Sequence, residues 1–252
     1  MNVLAAGAAI AVLRDRNPNP NGSTLLHAVA CGGNVRILTA LVAVDCGCED
    51  DIDVQESQFP NSTPLLCAIW YGHRNMTEAL IAAGADPRKA DARSQTALHL
   101  ASIRGHCSIL SDLLKMGLDI EARNDQEYTP LACAVASGKV NALKLLLDAG
   151  ASTQTRTASM LRVLDIAVKE GRIRCLRVLL AARVNPEEID QVGLTALLAA
   201  TRTSNIAAIA ALIDAGADME GRGGTMWTPL HFACQQGDVS VIDALIVRGG
   251  NV

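Results

Sequence analysis

Apolar residues along this chain gather in short stretches separated by polar turns that contain glycine. The stretch 140–147 (Val-Asn-Ala-Leu-Lys-Leu-Leu-Leu) is the clearest of them and predicts an amphipathic helix. A glycine or serine precedes each such helix, and another apolar stretch lies on the far side of that turn. The pattern therefore predicts pairs of short helices joined by tight turns.

The helix pairs recur with a fixed period. The segment 63–68 (Thr-Pro-Leu-Leu-Cys-Ala) returns with small changes at 96–101, 129–134 and 228–233. The threonines at 63, 96 and 129 are 33 residues apart, and Thr228 lies three periods further on. Such a period indicates stacked units, because one unit cannot bury its own apolar face. These segments resemble the T-P-L-H-x-A motif of the ankyrin-repeat family. The resemblance implies an all-α, right-handed α-solenoid with short β-hairpin loops.

About seven repeats can be aligned within residues 17–252. They start near Thr24, Thr63, Thr96, Thr129, Arg162, Thr195 and Thr228. A threonine hydroxyl at a helix start can accept a backbone N–H of the first turn, and proline is tolerated at the next position. We expect residues 1–16 to form an N-terminal capping helix. The last residues stop where another hairpin is due, which suggests a piece of a longer protein.

The first loop between repeats is longer than the others. From Leu41 to Thr63 there are 22 residues, against 16 from Leu113 to Thr129. We therefore expect an extended hairpin over 43–62. It contains no Lys or Arg, and its acidic residues are Asp45, Glu49, Asp50, Asp51, Asp53 and Glu56. It is either an acidic finger that attracts a basic partner or an ordinary solvated loop.

The fifth repeat departs most from the others. Arg162 and Asp165 stand in its Thr and His slots, and Arg183 replaces its second glycine. We expect a weak repeat, with strain at Arg183 if that residue keeps a positive φ. Bases predominate from 156 to 183, so this repeat either binds an acidic partner or is solvated surface. Nucleic-acid binding is disfavoured, because no aromatic residues are interleaved with the bases.

Composition is consistent with an intracellular protein in the cytoplasm or nucleus. The net charge is −4, which gives no global attraction to nucleic acid or to anionic membranes. The apolar stretch 3–13 is too short to span a bilayer, so no membrane insertion is expected. The chain has eight cysteines and no export signal, which favours free thiols in a reducing compartment.

No pattern in the chain indicates catalysis. All five histidines occupy repeat positions: three in the motif itself and two after a turn glycine. Glycines follow the repeat and form no phosphate-binding loop. The pair Cys46 and Cys48 has no histidine nearby to complete a zinc site. We expect no enzymatic activity, no cofactor and no bound metal.

Aromatic residues stand where the resemblance to ankyrin repeats implies tolerant binding positions, just before the motif threonine or the turn glycine. Four of the six aromatic residues do so, and a fifth, Phe59, lies in the hairpin that leads to Thr63. Trp and Tyr are frequent interface anchors. The predicted partner-binding residues are Phe59, Trp70, Tyr71, Arg93, Ile103, Arg104, Tyr128 and Trp227. The alternative is that some of these rings pack along neighbouring hairpins.

The resemblance implies a monomeric scaffold or adaptor that binds another protein on the concave face of the array. The alternative function is the targeting arm of a larger enzyme, channel or ubiquitin-ligase adaptor whose effector domain lies outside this chain. Fold alone does not decide between the two functions.

Overall fold

The structure, a computed structural model, describes residues 24–43, 52–55 and 61–249, and it divides into two compact units between Asp125 and Gln126. Within those residues it contains fourteen α-helices and no strands, which confirms the predicted all-α repeat fold. The loops are made of turns, with an isolated antiparallel bridge between Arg156 and Arg162.

Helices come in pairs in both units. The first unit contains α1 (Leu25–Gly32), α2 (Val35–Ala43), α3 (Pro64–Tyr71), α4 (Arg74–Ala82), α5 (Ala97–Arg104) and α6 (Cys107–Lys115). The second unit contains α7 (Pro130–Ala136), α8 (Val140–Asp148), α9 (Val163–Lys169), α10 (Ile173–Ala181), α11 (Ala196–Arg202), α12 (Ile206–Asp214), α13 (Pro229–Gln236) and α14 (Val239–Val247). Within each unit, odd-numbered helices pack on odd-numbered neighbours and even-numbered helices on even-numbered ones. Each unit therefore has a first layer of odd-numbered helices and a second layer of even-numbered helices.

The threonine of the repeat motif caps the first helix of most pairs. The Thr63 hydroxyl accepts the Leu66 N–H at 3.3 Å, and Thr129 and Thr195 cap α7 and α11 in the same way. In α1 a histidine joins the cap, because His27 Nδ1 lies 2.9 Å from the Thr24 hydroxyl. The other ring nitrogen of His27, Nε2, lies 2.9 Å from the Ser62 carbonyl, which links the first repeat to the second.

The core is built from leucine and alanine. Leucine in the third slot of the motif is at most 1% exposed in the five middle repeats. These residues are Leu65, Leu98, Leu131, Leu164 and Leu197. Small and aliphatic side chains allow the short helices to approach closely.

A side-chain oxygen organises several of the loops. Asp91 Oδ1 accepts the N–H groups of Arg93 and Gln95, both at 2.8 Å. In the second unit, three repeats later, Asp190 Oδ1 accepts the N–H groups of Val192 and Leu194 in the same way. The residue two before the motif start has a positive φ in five repeats. These residues are Asn61, Ser94, Glu127, Met160 and Gly193. This backbone feature was not anticipated from the sequence.

The long first loop returns to the normal register at Asp53. Ala43 and Asp53 are ten positions apart, whereas Ala82 and Asp86 are four apart, so the six extra residues precede Asp53. The Asp53 carboxylate accepts the Asp86 N–H at 3.1 Å and pairs with Lys89 at 3.4 Å. Asp53 thus holds the next loop. The other predicted members of the acidic loop lie outside the described residues; they are Asp45, Glu49, Asp50, Asp51 and Glu56. Phe59 and the predicted capping helix over 1–16 also lie outside them.

The fifth repeat has a cap of a different kind. The Asp165 carboxylate accepts the backbone N–H of Arg162 at 3.0 Å and pairs with the guanidinium of Arg162 through two bonds of 2.8 and 2.9 Å. Arg162 Nη1 also lies 3.2 Å from Glu188. Arg162 and Asp165 therefore cap α9 in place of the Thr and His of the other repeats. The strained position is confirmed, because Arg183 has a φ of 59°.

A buried hydroxyl in α5 leads to a prediction about stability. Ser102 is 0% exposed, and its Oγ has no hydrogen-bond partner within the described residues. Ile69 and Val135 occupy the same slot in neighbouring repeats. We expect Ser102→Ala to raise the free energy of unfolding by about 1 kcal/mol, because an unsatisfied buried polar group is removed. Urea unfolding followed by tryptophan fluorescence measures the change.

The matched control for Ser102 is Thr201, which fills the equivalent slot of α11. Its hydroxyl donates to the Leu197 carbonyl at 2.9 Å, so Thr201→Val is expected to bring no gain. A loss of stability in Ser102→Ala would show that its hydroxyl is satisfied after all.

Candidate functional site

Four of the predicted binding residues meet at the C-terminal ends of two packed helices in the first unit. Trp70 and Tyr71 end α3, and Ile103 and Arg104 end α5. Helices α3 and α5 pack side by side in the first layer, which brings the two ends together. We call these four residues the Trp70 cluster.

Trp70 is fixed by its neighbours while part of its surface stays accessible. The Arg104 guanidinium carbon lies 4.8 Å from the centroid of the Trp70 ring, in a cation–π arrangement. Arg104 Nε donates to the Trp70 carbonyl at 3.1 Å, and His106 Nε2 lies 3.2 Å from the same oxygen. Because the indole and the guanidinium are already ordered, a partner that binds them loses little side-chain entropy.

Tyr71 is the most exposed aromatic residue of the Trp70 cluster, at 44%. Its ring stacks on His73, with centroids 6.3 Å apart and planes inclined by 21°. His73 in turn is held by the Cys31 carbonyl, which lies 2.8 Å from its Nε2. Tyr71 therefore presents an apolar face and a hydroxyl to solvent from a supported position.

The turn after α3 requires glycine. Gly72 has a φ of 80°, and a Cβ atom placed on it would lie 2.5 Å from Cε1 of His106. A side chain at position 72 would occupy the space of the His106 ring. Glycine there therefore allows His106 to reach the Trp70 carbonyl. This close approach positions the Trp70 cluster relative to the next repeat.

Arg93 lies apart from the Trp70 cluster, in the loop before α5. It is exposed, and its backbone is tied on both sides: its N–H donates to Asp91 at 2.8 Å and its carbonyl accepts from the Asp125 N–H at 3.0 Å. The turn thus defines the backbone position of Arg93, an exposed residue that contributes positive charge to the first unit.

In the second unit, Tyr128 precedes α7 and is partly buried. Burial, with smaller effects from Glu170 and Cys133, raises the pKa of its phenol above the ordinary value. Glu127 before it has a φ of 60°, which turns the chain into the cap. Tyr128 therefore remains protonated at neutral pH.

Trp227 has a packing partner within its own repeat. Its ring meets Phe232 edge to face, with centroids 5.3 Å apart. The backbone N–H of Trp227 donates to the Thr225 hydroxyl at 3.2 Å. Trp227 also lies three repeats beyond Tyr128, so these two residues of the second unit do not form one patch.

The described cysteines and acidic residues form no reactive centre. Six cysteines are free thiols, and burial raises the pKa of Cys133 to about 12, which keeps it protonated. In the part of the chain that the structure describes, no group of three or more His, Cys, Asp or Glu could hold a metal ion. No helix among these residues is long and apolar enough to cross a bilayer.

Comparison with known proteins agrees with this architecture. A family model described as ankyrin repeats (3 copies) matches residues 3–91, 75–157 and 164–252. The ankyrin repeat domain of human ASB11 superposes with a TM-score of 0.75 over 91% of this chain and 100% of its own, at 24% identity, which concerns the fold alone. The ankyrin repeat domain of Bcl-3, a member of the IkappaB protein family, gives a TM-score of 0.75 at 28% identity over 90% of this chain and 99% of its own.

A curated relative is similar over a shorter stretch. Inversin of Gallus gallus is 38% identical over 85 residues, which are 32% of this chain and only 7% of inversin. The family model, in contrast, covers nearly the whole sequence. The chain therefore belongs to the ankyrin-repeat family, whose repeats are protein-interaction modules.

Proposed function

We propose that this chain is a scaffold or adaptor that binds another protein through the Trp70 cluster. The observation that carries the proposal is the held but accessible aromatic pair, with Arg104 over the indole and Tyr71 44% exposed. Tryptophan, tyrosine and arginine are the residue types that dominate interface energies. Arg93 in the first unit and Tyr128 in the second unit are further candidate contacts. We also propose an intracellular location, which the six free cysteines support.

A second function is supported by the match to inversin. Because the matching stretch makes up only 7% of that protein, repeats of this kind occur as part of a much larger chain. The same binding surface would then serve as the targeting arm of an enzyme, channel or ubiquitin-ligase adaptor, with catalysis or transport in another domain. In both functions the described repeats recognise a protein and perform no chemistry.

Trp70→Ala is expected to weaken partner binding about thirtyfold, because burying a tryptophan at the centre of an interface contributes about 2 kcal/mol. The measurement is affinity capture from cell extract with quantitative mass spectrometry, followed by titration of the captured protein. The melting temperature should change little, since Trp70 is only partly buried.

Two further variants make this experiment decisive. Tyr71→Ala removes an exposed ring and should also reduce capture. Trp227→Ala removes the other tryptophan, which packs on Phe232, and should leave capture unchanged. Equal capture by the wild type and both variants of the Trp70 cluster would refute the proposed surface.

A further inference from the structure

In the second layer of the second unit, helices α8 and α10 carry three basic residues and one acidic residue, Asp148. Lys144 of α8 and Arg177 of α10 occupy the same slot in successive repeats, and Arg174 lies three residues before Arg177 on the same helix. All three are exposed. Because α8 and α10 pack side by side, these cations lie on one face. We call Lys144, Arg174 and Arg177 the cationic face.

The acidic residue of these two helices, Asp148, lies four residues after Lys144 on α8. Neither Lys144 nor Arg174 nor Arg177 forms an ion pair with any residue in the described parts of the second unit. Two other arginines nearby are engaged: Arg162 pairs with Asp165, and Arg172 Nε donates to the Ala136 carbonyl at 2.9 Å. A protein with a net charge of −4 thus keeps adjacent like charges unpaired on one surface.

A shallow, open groove borders the cationic face. It lies between α10 and α12 and has a volume of about 300 Å³. Its walls are Arg177, Leu180, Ala181, Ala211, Asp214 and Ala215. The three alanines leave room for one aliphatic side chain. Arg177 belongs to both the groove and the cationic face. Asp214 is the one acidic residue of the groove walls.

We propose that the cationic face and this groove bind an acidic protein segment that carries one apolar anchor. Carboxylates of the segment pair with Lys144, Arg174 and Arg177, and the anchor enters the groove beside Leu180. Charge complementarity identifies the partner, and the groove distinguishes a protein segment from a simple polyanion. Helices α8, α10 and α12 contain no aromatic residue on which bases could stack, which disfavours single-stranded nucleic acid. The inference is independent of the Trp70 cluster.

The test uses fluorescent peptides of defined composition. The probe alternates Glu and Ala around one central Leu; one matched peptide has Gln in place of Glu, and another has Ala in place of Leu. Fluorescence anisotropy should show binding of the Glu–Leu probe that weakens with added salt. The double variant Arg174→Ser/Arg177→Ser should lose about tenfold in affinity, whereas Arg202→Ser, an exposed arginine of the first layer, should lose nothing.

The groove is tested separately from the charges. The Glu–Ala peptide should bind several-fold more weakly than the Glu–Leu probe, and Ala215→Leu, which fills the groove, should abolish that difference. Equal binding of the Gln peptide, or an unchanged affinity in the double arginine variant, would overturn the proposal. Tighter binding of a single-stranded oligonucleotide of the same net charge would also overturn it. Circular dichroism confirms that each variant is folded.

Discussion

Asp165→Ala is expected to lower the free energy of unfolding of the second unit by about 3–5 kcal/mol. Arg162 is only 3% exposed, so its guanidinium would remain buried with Glu188 as its single charged partner. The start of α9 would also lose its cap, since Asp165 accepts the Arg162 N–H. Urea unfolding in a Trp70→Phe background, where Trp227 is the only tryptophan, reports on the second unit.

Two variants separate the buried pair from its surroundings. The double substitution Arg162→Thr/Asp165→His restores the cap of the other repeats and should recover stability to within about 1 kcal/mol of the wild type. Glu188→Gln should cost at most about 1 kcal/mol, because the Glu188 side chain is 33% exposed and its charge is screened. A loss below 1 kcal/mol in Asp165→Ala would mean that Arg162 reaches water once its partner is gone.

Gly72→Ala is expected to lower the free energy of unfolding of the first unit by about 2–3 kcal/mol. Alanine is strained at a φ of 80°, and its Cβ would lie 2.5 Å from the His106 ring. The ring must then move, which breaks its hydrogen bond to the Trp70 carbonyl. Urea unfolding followed by Trp70 fluorescence measures the loss.

Gly117→Ala is the matched control in the same unit. Gly117 has a φ of 69° but no atom within 4 Å of the added Cβ, so only backbone strain of about 1 kcal/mol is expected. Equal losses at the two glycines would show that the contact with His106 relaxes without cost.

The sequence was sufficient to predict the repeat fold, because a period of 33 residues is visible in the motif threonines and leucines. It was also sufficient for the strain at Arg183, since the neighbouring repeats have glycine in that slot and the slot keeps its positive φ. Both features depend on residues within one repeat, so they can be predicted by comparing the same slot in neighbouring repeats.

Features that depend on pairs of side chains were not predictable. In the sequence, Arg162 in the threonine slot indicated a weak start of α9. The residues that make up for the missing threonine are Asp165 and Glu188, and Glu188 is 26 residues away from Arg162. The positive φ that recurs before the motif in five repeats was obscured by Glu127 and Met160, residue types that rarely adopt it. Asn61, Ser94 and Gly193 at the same spacing were the available signal.

The candidate site was predictable in position but not in detail. Trp70 and Tyr71 stood out because both precede a turn glycine. Arg104 and His106 both contact the Trp70 carbonyl. These contacts depend on how α5 packs against α3, and the spacing of residues in the sequence does not reveal that packing. The contact of Trp227 with Phe232 likewise depends on ring orientation.

The link between Arg162 and Glu188 limits how this array can be rearranged. In the first repeat the link to the next repeat ends on the backbone carbonyl of Ser62, a group that any residue would offer. Arg162 instead pairs with the carboxylate of Glu188, at one position of the loop leading to Thr195. A graft that moved the fifth repeat alone into another array would leave its arginine without this partner. The fifth repeat and the loop that follows it should therefore be duplicated, deleted or transplanted together.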